Sequence, residues 1–407
     1  MSCNEWKEYK LEELCEYRKD KVKIDDINLY NYISTENMMP NKGGIEIASS
    51  LPNSKTVARY LEGDILISNI RPYFKKIWYA KNDGGNSNDV LVFKNISKDK
   101  LNNTFLYYLL SSDNFFDYVM STAKGTKMPR GDKDAIMRYN INLPSLEEQE
   151  KIANILSSLD DKIELNNEMN KTLEEMAQSI FKRWFVDFEF PNEDGEPYKS
   201  SGGEMVDSEL GMIPKGWEVK ELSQLVNIIT KSEKPFENED ILYEHFSIPA
   251  LDSNKLPILE FGNSISSNKY KIDNDCILIS KLNPNNKRIW NPYCNTSNSI
   301  CSTEFIVYKA INNYPKSYIY EIINSDEFTK FLVANATGST GSRQRVKPKD
   351  TLGYKIVLPT IDKIIEIDKI LSPIHKNIQL NTQESNTILQ IRNTLLPKLM
   401  SGEIKVN

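Results

Sequence analysis

The sequence predicts an α/β protein: two similar mixed domains joined by two long helices, arranged about a pseudo-two-fold axis. Two observations predict it. The first is an internal duplication. Trp6, Leu11 and Leu14 recur as Trp217, Leu222 and Leu225, and Asp64 as Asp275, all at an offset of 211 residues. Lys75-Lys76-Ile77-Trp78 recurs as Lys287-Arg288-Ile289-Trp290 at 212, and Ser112-Asp113 and Gly125 as Ser325-Asp326 and Gly338 at 213. Leu143-Pro144 recurs as Leu358-Pro359 at 215. So small a drift means two copies of one fold with short loop insertions, and a period this long is a domain duplication, not a solenoid.

The second observation is a matched pair of heptads. Ile152, Leu159, Asn166, Leu173 and Ile180 are seven apart, as are Leu156, Ile163, Asn170, Ala177 and Trp184. They repeat 215 residues later as Ile367, Ile374, Asn381, Ile388 and Leu395, with Leu371, Ile378, Ser385, Arg392 and Leu399. Such positions form the seam of a coiled coil. Neither helix is expected to be stable alone in water, so the two are expected to pair. The mid-length polar layers, Asn166 with Asn170 and Asn381 with Ser385, fix register at some cost in stability. They meet in either a parallel or an antiparallel pair and leave the direction open. Arg392 at a core-type position is the exception to the pattern.

In chain order, residues 1–143 read as the first domain. Asp64–Ser68 and Val90–Phe93 are short apolar runs bounded by turn residues, as buried strands are. Thr104–Met120 carries apolar residues at helical spacing, echoed by Ser317–Val333. Residues 144–188 read as the first long helix, opened by Pro144 and Ser145 with Glu147, Glu148 and Glu150 near the positive end of the dipole. Residues 189–212 have the Pro, Gly, Ser and acid content of a linker. Residues 213–358 read as the second domain, and 359–407 as the second long helix with a tail.

Composition removes several classes. No run of 18 apolar residues exists to span a membrane, and the N-terminus lacks a signal-peptide core. The five cysteines have no C-x-x-C spacing and read as free thiols of a reducing cytoplasm. With only His245 and His375, a histidine-based metal or triad site is not expected. The net charge of −6 is uneven. Residues 145–175 hold nine acids against three lysines, whereas Arg71, Lys75, Lys76 and Lys81 precede any acid in their stretch. Basic loops on an acidic frame suit local contacts to nucleic-acid phosphates. Two similar domains about a pseudo-two-fold suit a pseudo-symmetric partner, of which duplex DNA is the commonest.

Four segments carry a resemblance over nearly the whole chain. They are Leu143-Pro144-Ser145-Leu146-Glu147-Glu148-Gln149, Ile180-Phe181-Lys182-Arg183-Trp184-Phe185-Val186-Asp187-Phe188, Gly211-Met212-Ile213-Pro214-Lys215-Gly216-Trp217 and Leu395-Leu396-Pro397-Lys398-Leu399-Met400-Ser401-Gly402-Glu403-Ile404. With the duplication and the heptads, the chain resembles the specificity subunit of Type I restriction-modification enzymes. The resemblance implies two target-recognition domains, each reading half of a bipartite site in double-stranded DNA. It implies an antiparallel pair of helices acting as a ruler between them. It also implies two methyltransferase subunits as partners, with motor-nuclease subunits as optional ones, and S-adenosylmethionine bound by the methyltransferases. This chain itself is then expected to hold no cofactor or metal and to be non-catalytic.

The candidate DNA contacts are two clusters per domain. Asn69, Arg71, Tyr73, Lys75 and Lys76 follow a predicted strand, and Lys281, Asn283, Asn286, Lys287 and Arg288 match them. Lys124, Thr126, Lys127, Arg130 and Lys133 form the second cluster, echoed by Ser342, Arg343, Gln344, Arg345 and Lys347. Arginine forks onto guanine, asparagine pairs with adenine, and lysine binds phosphate. Two other classes fit the residues less well. A coiled-coil scaffold without DNA recognition leaves the basic loops unexplained. A metal-dependent nuclease would rest on Glu8-Tyr9-Lys10 and Glu218-Val219-Lys220, without a suitably placed aspartate. Asn291-Pro292-Tyr293 falls one proline short of an adenine-methyltransferase motif, and no Gly-rich cofactor loop follows a strand.

Overall fold

A computed structural model describes residues 6–311, 314–338 and 344–406. The chain divides into two compact units, Met1–Glu164 with Thr387–Asn407, and Leu165–Asn386. The division passes through both long helices, Leu146–Phe185 and Ile361–Met400.

In the first unit a four-stranded antiparallel sheet runs in the order Cys15–Tyr17, Val90–Asn95, Ile65–Ser68, Ile77–Tyr79. Ile65–Ser68 is buried at every position, which is why it reads as an unbroken apolar run. A second sheet contains Lys21–Lys23, Thr56–Tyr60, Gly84–Asn86 and Tyr32–Ile33, the last pair parallel. Lys7–Lys10 pairs with Asn140–Leu143 just before the long helix.

The second unit repeats this plan. Val226–Ile228, Phe305–Ala310, Cys276–Ser280 and Ile289–Trp290 form the first sheet, and Glu218–Glu221 pairs with Lys355–Leu358. Its other sheet gains a fifth, edge strand, Ile258–Phe261.

The helical stretch expected at Thr104–Met120 is two helices, Asn103–Leu110 and Asp113–Ser121. The break comes from an N-cap: Ser112 accepts from the Phe115 N–H at 3.3 Å. Ser325 does the same for Phe328 at 3.1 Å, dividing Lys316–Asn324 from Asp326–Ala334. Serine capping thus explains why Ser-Asp is one of the duplicated dipeptides.

Each long helix is docked by its own heptad residues. Ile152 and Leu156 are fully buried in the first unit's core with Phe105, Leu106 and Leu399, and Ile367 and Leu371 in the second unit's core with Tyr318 and Ile322. Burying each such side chain contributes about 2 kcal/mol. Gln149 anchors the start of the first helix: it is buried, donates to the carbonyls of Lys100 (2.8 Å) and Pro144 (3.1 Å), and accepts from the Asn102 N–H (3.0 Å).

Within the second unit the helices pair antiparallel. Asn166 Nδ2 donates to Glu384 (2.9 Å) and Ser385 (3.2 Å), whereas Asn170 exchanges hydrogen bonds with Asn381 (3.0 Å) and Thr382 (3.2 Å). Later residues of one helix meet earlier residues of the other, which settles the direction the heptads leave open. Within the first unit Arg392 loses its anomaly: Nη1 donates to Asp160 Oδ1 at 2.8 Å, and Asp160 accepts from Tyr108 Oη at 2.8 Å.

Residues 189–212 carry structure of their own. Met205–Val206 pairs with Ile213–Pro214, and Phe190 stacks between Tyr198 (4.6 Å) and Trp217 (4.8 Å). The polar composition gives no hint of this packing, which rests on three aromatic rings.

The units differ where Asn103 is replaced by Lys316. Asn103 donates to the Gly63 carbonyl at 3.0 Å, and Lys316 donates to the equivalent carbonyl of Asn274. Burial lowers the Lys316 amine from its ordinary 10.5 to about 8. The unfolded state therefore holds more protons between those values, so stability rises with pH across that window. Below pH 8 both states are protonated and the cost of burying the charge is fully present. Lys316→Met is expected to raise the melting temperature at pH 7, with the gain shrinking towards pH 10; a gain independent of pH would contradict this.

Candidate nucleic-acid interface

The strand Ile65–Ser68 delivers the chain into the loop 69–76, and Cys276–Ser280 delivers it into 281–288. In both units this loop is stitched to the second cluster by the same backbone bonds. Arg71 N–H donates to Pro129 O at 2.8 Å, and Asn283 N–H to Gln344 O at 2.9 Å. Isolated bridges join Ile70 and Lys124 to Arg130, and Leu282 and Thr337 to Arg345. Arg130 pairs with Asp89 at 3.3 Å, and Arg345 with Glu304 at 3.1 Å. Clusters about 50 residues apart in sequence are thus one surface in each unit.

The residues within that surface have different tasks. Asn69 is buried, with its backbone bonded to Asp89 and Gly131 and its side-chain oxygen unpartnered beside Gly131. It lies inside the loop, where the sequence expectation has it exposed as a DNA contact. The side-chain oxygen of Asn283 is likewise buried.

Lys75 pairs with Asp113 at 2.8 Å, and Lys124 with Asp132 at 2.6 Å. Lys76 donates to Thr35 O at 2.6 Å and lies 5.8 Å from the Phe74 ring centre, its amine pushed down by burial. In the second unit Lys281 donates to Thr303 O, Lys287 to Asn324 O, and Arg288 forks onto Asp252 at 2.6 and 2.8 Å. Lys76, Lys281 and Arg288 are held against the fold by these partners, whereas the Lys124 side chain stays 80% exposed despite its ion pair.

Arg71, Lys127, Lys133 and Lys347 are exposed and make no ion pair among the described residues. Thr126, Tyr73 and Asn286 are exposed beside them. Ser342 and Arg343 lie outside the described residues.

Sequence reasoning missed the buttress of the first loop. Asn41 N–H donates to Phe74 O at 2.7 Å and Lys42 N–H to Lys75 O at 2.9 Å, both residues in the left-handed conformation. The turn-forming run Pro40-Asn41-Lys42-Gly43-Gly44 is the signal that could have found it. Among the described residues, no group of three or more His, Cys, Asp or Glu side chains is placed to hold a metal ion.

Residues 4–175 match the Type I restriction modification DNA specificity domain. The HindI specificity subunit of Haemophilus influenzae is 27% identical over 98% of this chain and 100% of its own length. The MjaIX specificity subunit of Methanocaldococcus jannaschii is 27% identical over 77% of this chain and 72% of its own. The crystal structure of the Type I S subunit from M. genitalium shares the fold, with a TM-score of 0.60 at 16% identity over 97% of this chain and 96% of that one. With the duplicated units and the paired helices, the chain is similar to Type I restriction-modification specificity subunits over nearly its whole length.

Proposed function

We propose that each unit reads one half of a bipartite double-stranded DNA site through its stitched pair of loops, while the two long helices set the gap between the halves. Catalysis belongs to partners: two methyltransferase subunits, holding S-adenosylmethionine, flip and methylate an adenine. Motor-nuclease subunits join the same complex when restriction is active. The observation that carries this reading is the doubling of the loop surface, with the same backbone bonds, the same loop-bracing ion pair and unpaired exposed cations in both units.

The unpaired lysines are the expected phosphate contacts. In a complex with its methyltransferase, replacing Lys127, Lys133 and Lys347 with alanine is expected to weaken DNA binding about equally across sequences. The slope of log affinity against log salt should fall by about one for each lysine replaced. A salt slope near zero for the wild-type complex would instead favour a protein scaffold.

A further inference from the structure

We propose that Arg71 is the guanine-reading side chain of the first unit and that the second unit has no counterpart at that position. The proposal rests on the recognition function above and concerns which residue carries it.

Three observations single out Arg71. It is exposed and makes no ion pair or side-chain hydrogen bond among the described residues, whereas Lys75, Lys76, Lys124 and Arg130 in the same two loops are all engaged. Its backbone is held on both sides: the N–H donates to Pro129 O at 2.8 Å, and the carbonyl accepts from Phe74 N–H at 3.0 Å. Buried Pro72 follows it. Its φ is +49°, a left-handed conformation that costs backbone energy for a residue with a long side chain.

The duplication supplies the control. Asn283 occupies the equivalent place, with φ of +47°, its N–H on Gln344 O at 2.9 Å, its carbonyl accepting from Asn286 N–H at 2.8 Å, and Pro284 next. Asparagine suits a left-handed residue, and here its side-chain oxygen is turned into the protein. One backbone device therefore carries the residue that relieves strain in one unit and arginine in the other. Lys75 in the same loop shares the left-handed backbone at φ +51°, but its amine is held by Asp113, so of these two strained residues Arg71 is the one whose side chain is left to meet a ligand.

A fixed Cα favours base reading over phosphate binding. A flexible lysine such as Lys127 satisfies a phosphate from many positions. A guanidinium must arrive in one plane to fork onto guanine O6 and N7. Tyr73 and Phe74, an exposed ring pair 4.6 Å apart, follow in the same loop and offer apolar surface beside the base edges.

The test maps methylated motifs in cells carrying the full chain and the methyltransferase subunit proposed as its partner. Wild type is compared with Arg71→Asn, the residue the second unit uses, and with Arg71→Lys. The expected result is loss of selectivity, by about tenfold to a hundredfold, at one guanine of one half-site. The other half-site and the gap stay unchanged, and lysine does not restore selectivity. An unchanged motif in Arg71→Asn overturns the proposal. So does an even loss at all positions that lysine restores, which marks a phosphate contact. Equal melting temperatures for the purified variants separate a reading defect from a folding defect. Absence of any bipartite motif in wild type would instead remove the recognition function itself.

Discussion

Replacing Asp160 with alanine is expected to destabilise the first unit by about 3 kcal/mol, whereas Arg392→Leu changes stability by less than about 1 kcal/mol. The asymmetry follows from what each substitution leaves behind. The Arg392 side chain is 13% exposed, and among the described residues its Nε is buried without a partner and Asp160 is its one carboxylate. Without Asp160 a largely buried guanidinium has, among the described residues, only the Asn393 side chain. Breaking a buried pair from this side leaves an uncompensated charge, the costly case. The Asp160 side chain is 27% exposed and keeps its hydrogen bond from Tyr108, so it tolerates the loss of Arg392. Leucine at 392 also returns an apolar residue to a heptad position. Denaturant unfolding of the full chain measures both; equal losses for the two variants would contradict this reading.

Trp217→Ala is expected to cost the second unit about 3–5 kcal/mol. Trp217 is 6% exposed and lies in an aromatic cluster: Phe185 at 5.7 Å, Phe188 at 5.8 Å and Phe190 at 4.8 Å. Phe185 also meets Tyr318 at 5.3 Å, so within the second unit the cluster ties the end of the first long helix to the sheet-bearing part. The first unit answers with a lighter contact, in which Gly402 near the chain's end lies against the half-buried Trp6 ring. A Cβ at Gly402 would approach that ring to 3.2 Å, and its φ of +72° favours glycine as well. Trp6→Ala should therefore cost less than Trp217→Ala. A loss below about 1 kcal/mol for Trp217→Ala would show that the segment 189–216 is not fastened by this ring.

What the sequence makes legible is local or periodic. Ile65–Ser68 and Cys276–Ser280 stand out as apolar runs because both faces are covered. The heptads stand out because seven-residue spacing survives without any knowledge of the partner. The split between Asn103–Leu110 and Asp113–Ser121 is present as Ser112-Asp113, a dipeptide that marks the duplication in sequence and acts as a cap in the fold.

The illegible part is partner choice across long separations. Nothing near Lys75 announces Asp113, nor Asp252 for Arg288, so braced cations and free ones look alike in the sequence. Asn69 and Arg71 are two residues apart, yet the strand end puts one inside and the other outside. Arg392 looks like a flaw in a seam because its carboxylate lies on the other helix.

The most direct measurement is a genome-wide map of methylated bases in cells expressing this chain with the methyltransferase subunit proposed as its partner, against cells lacking the chain. Two half-sites separated by a fixed gap, present only with the chain, is the predicted result. A methylation motif that persists unchanged without the chain would contradict it.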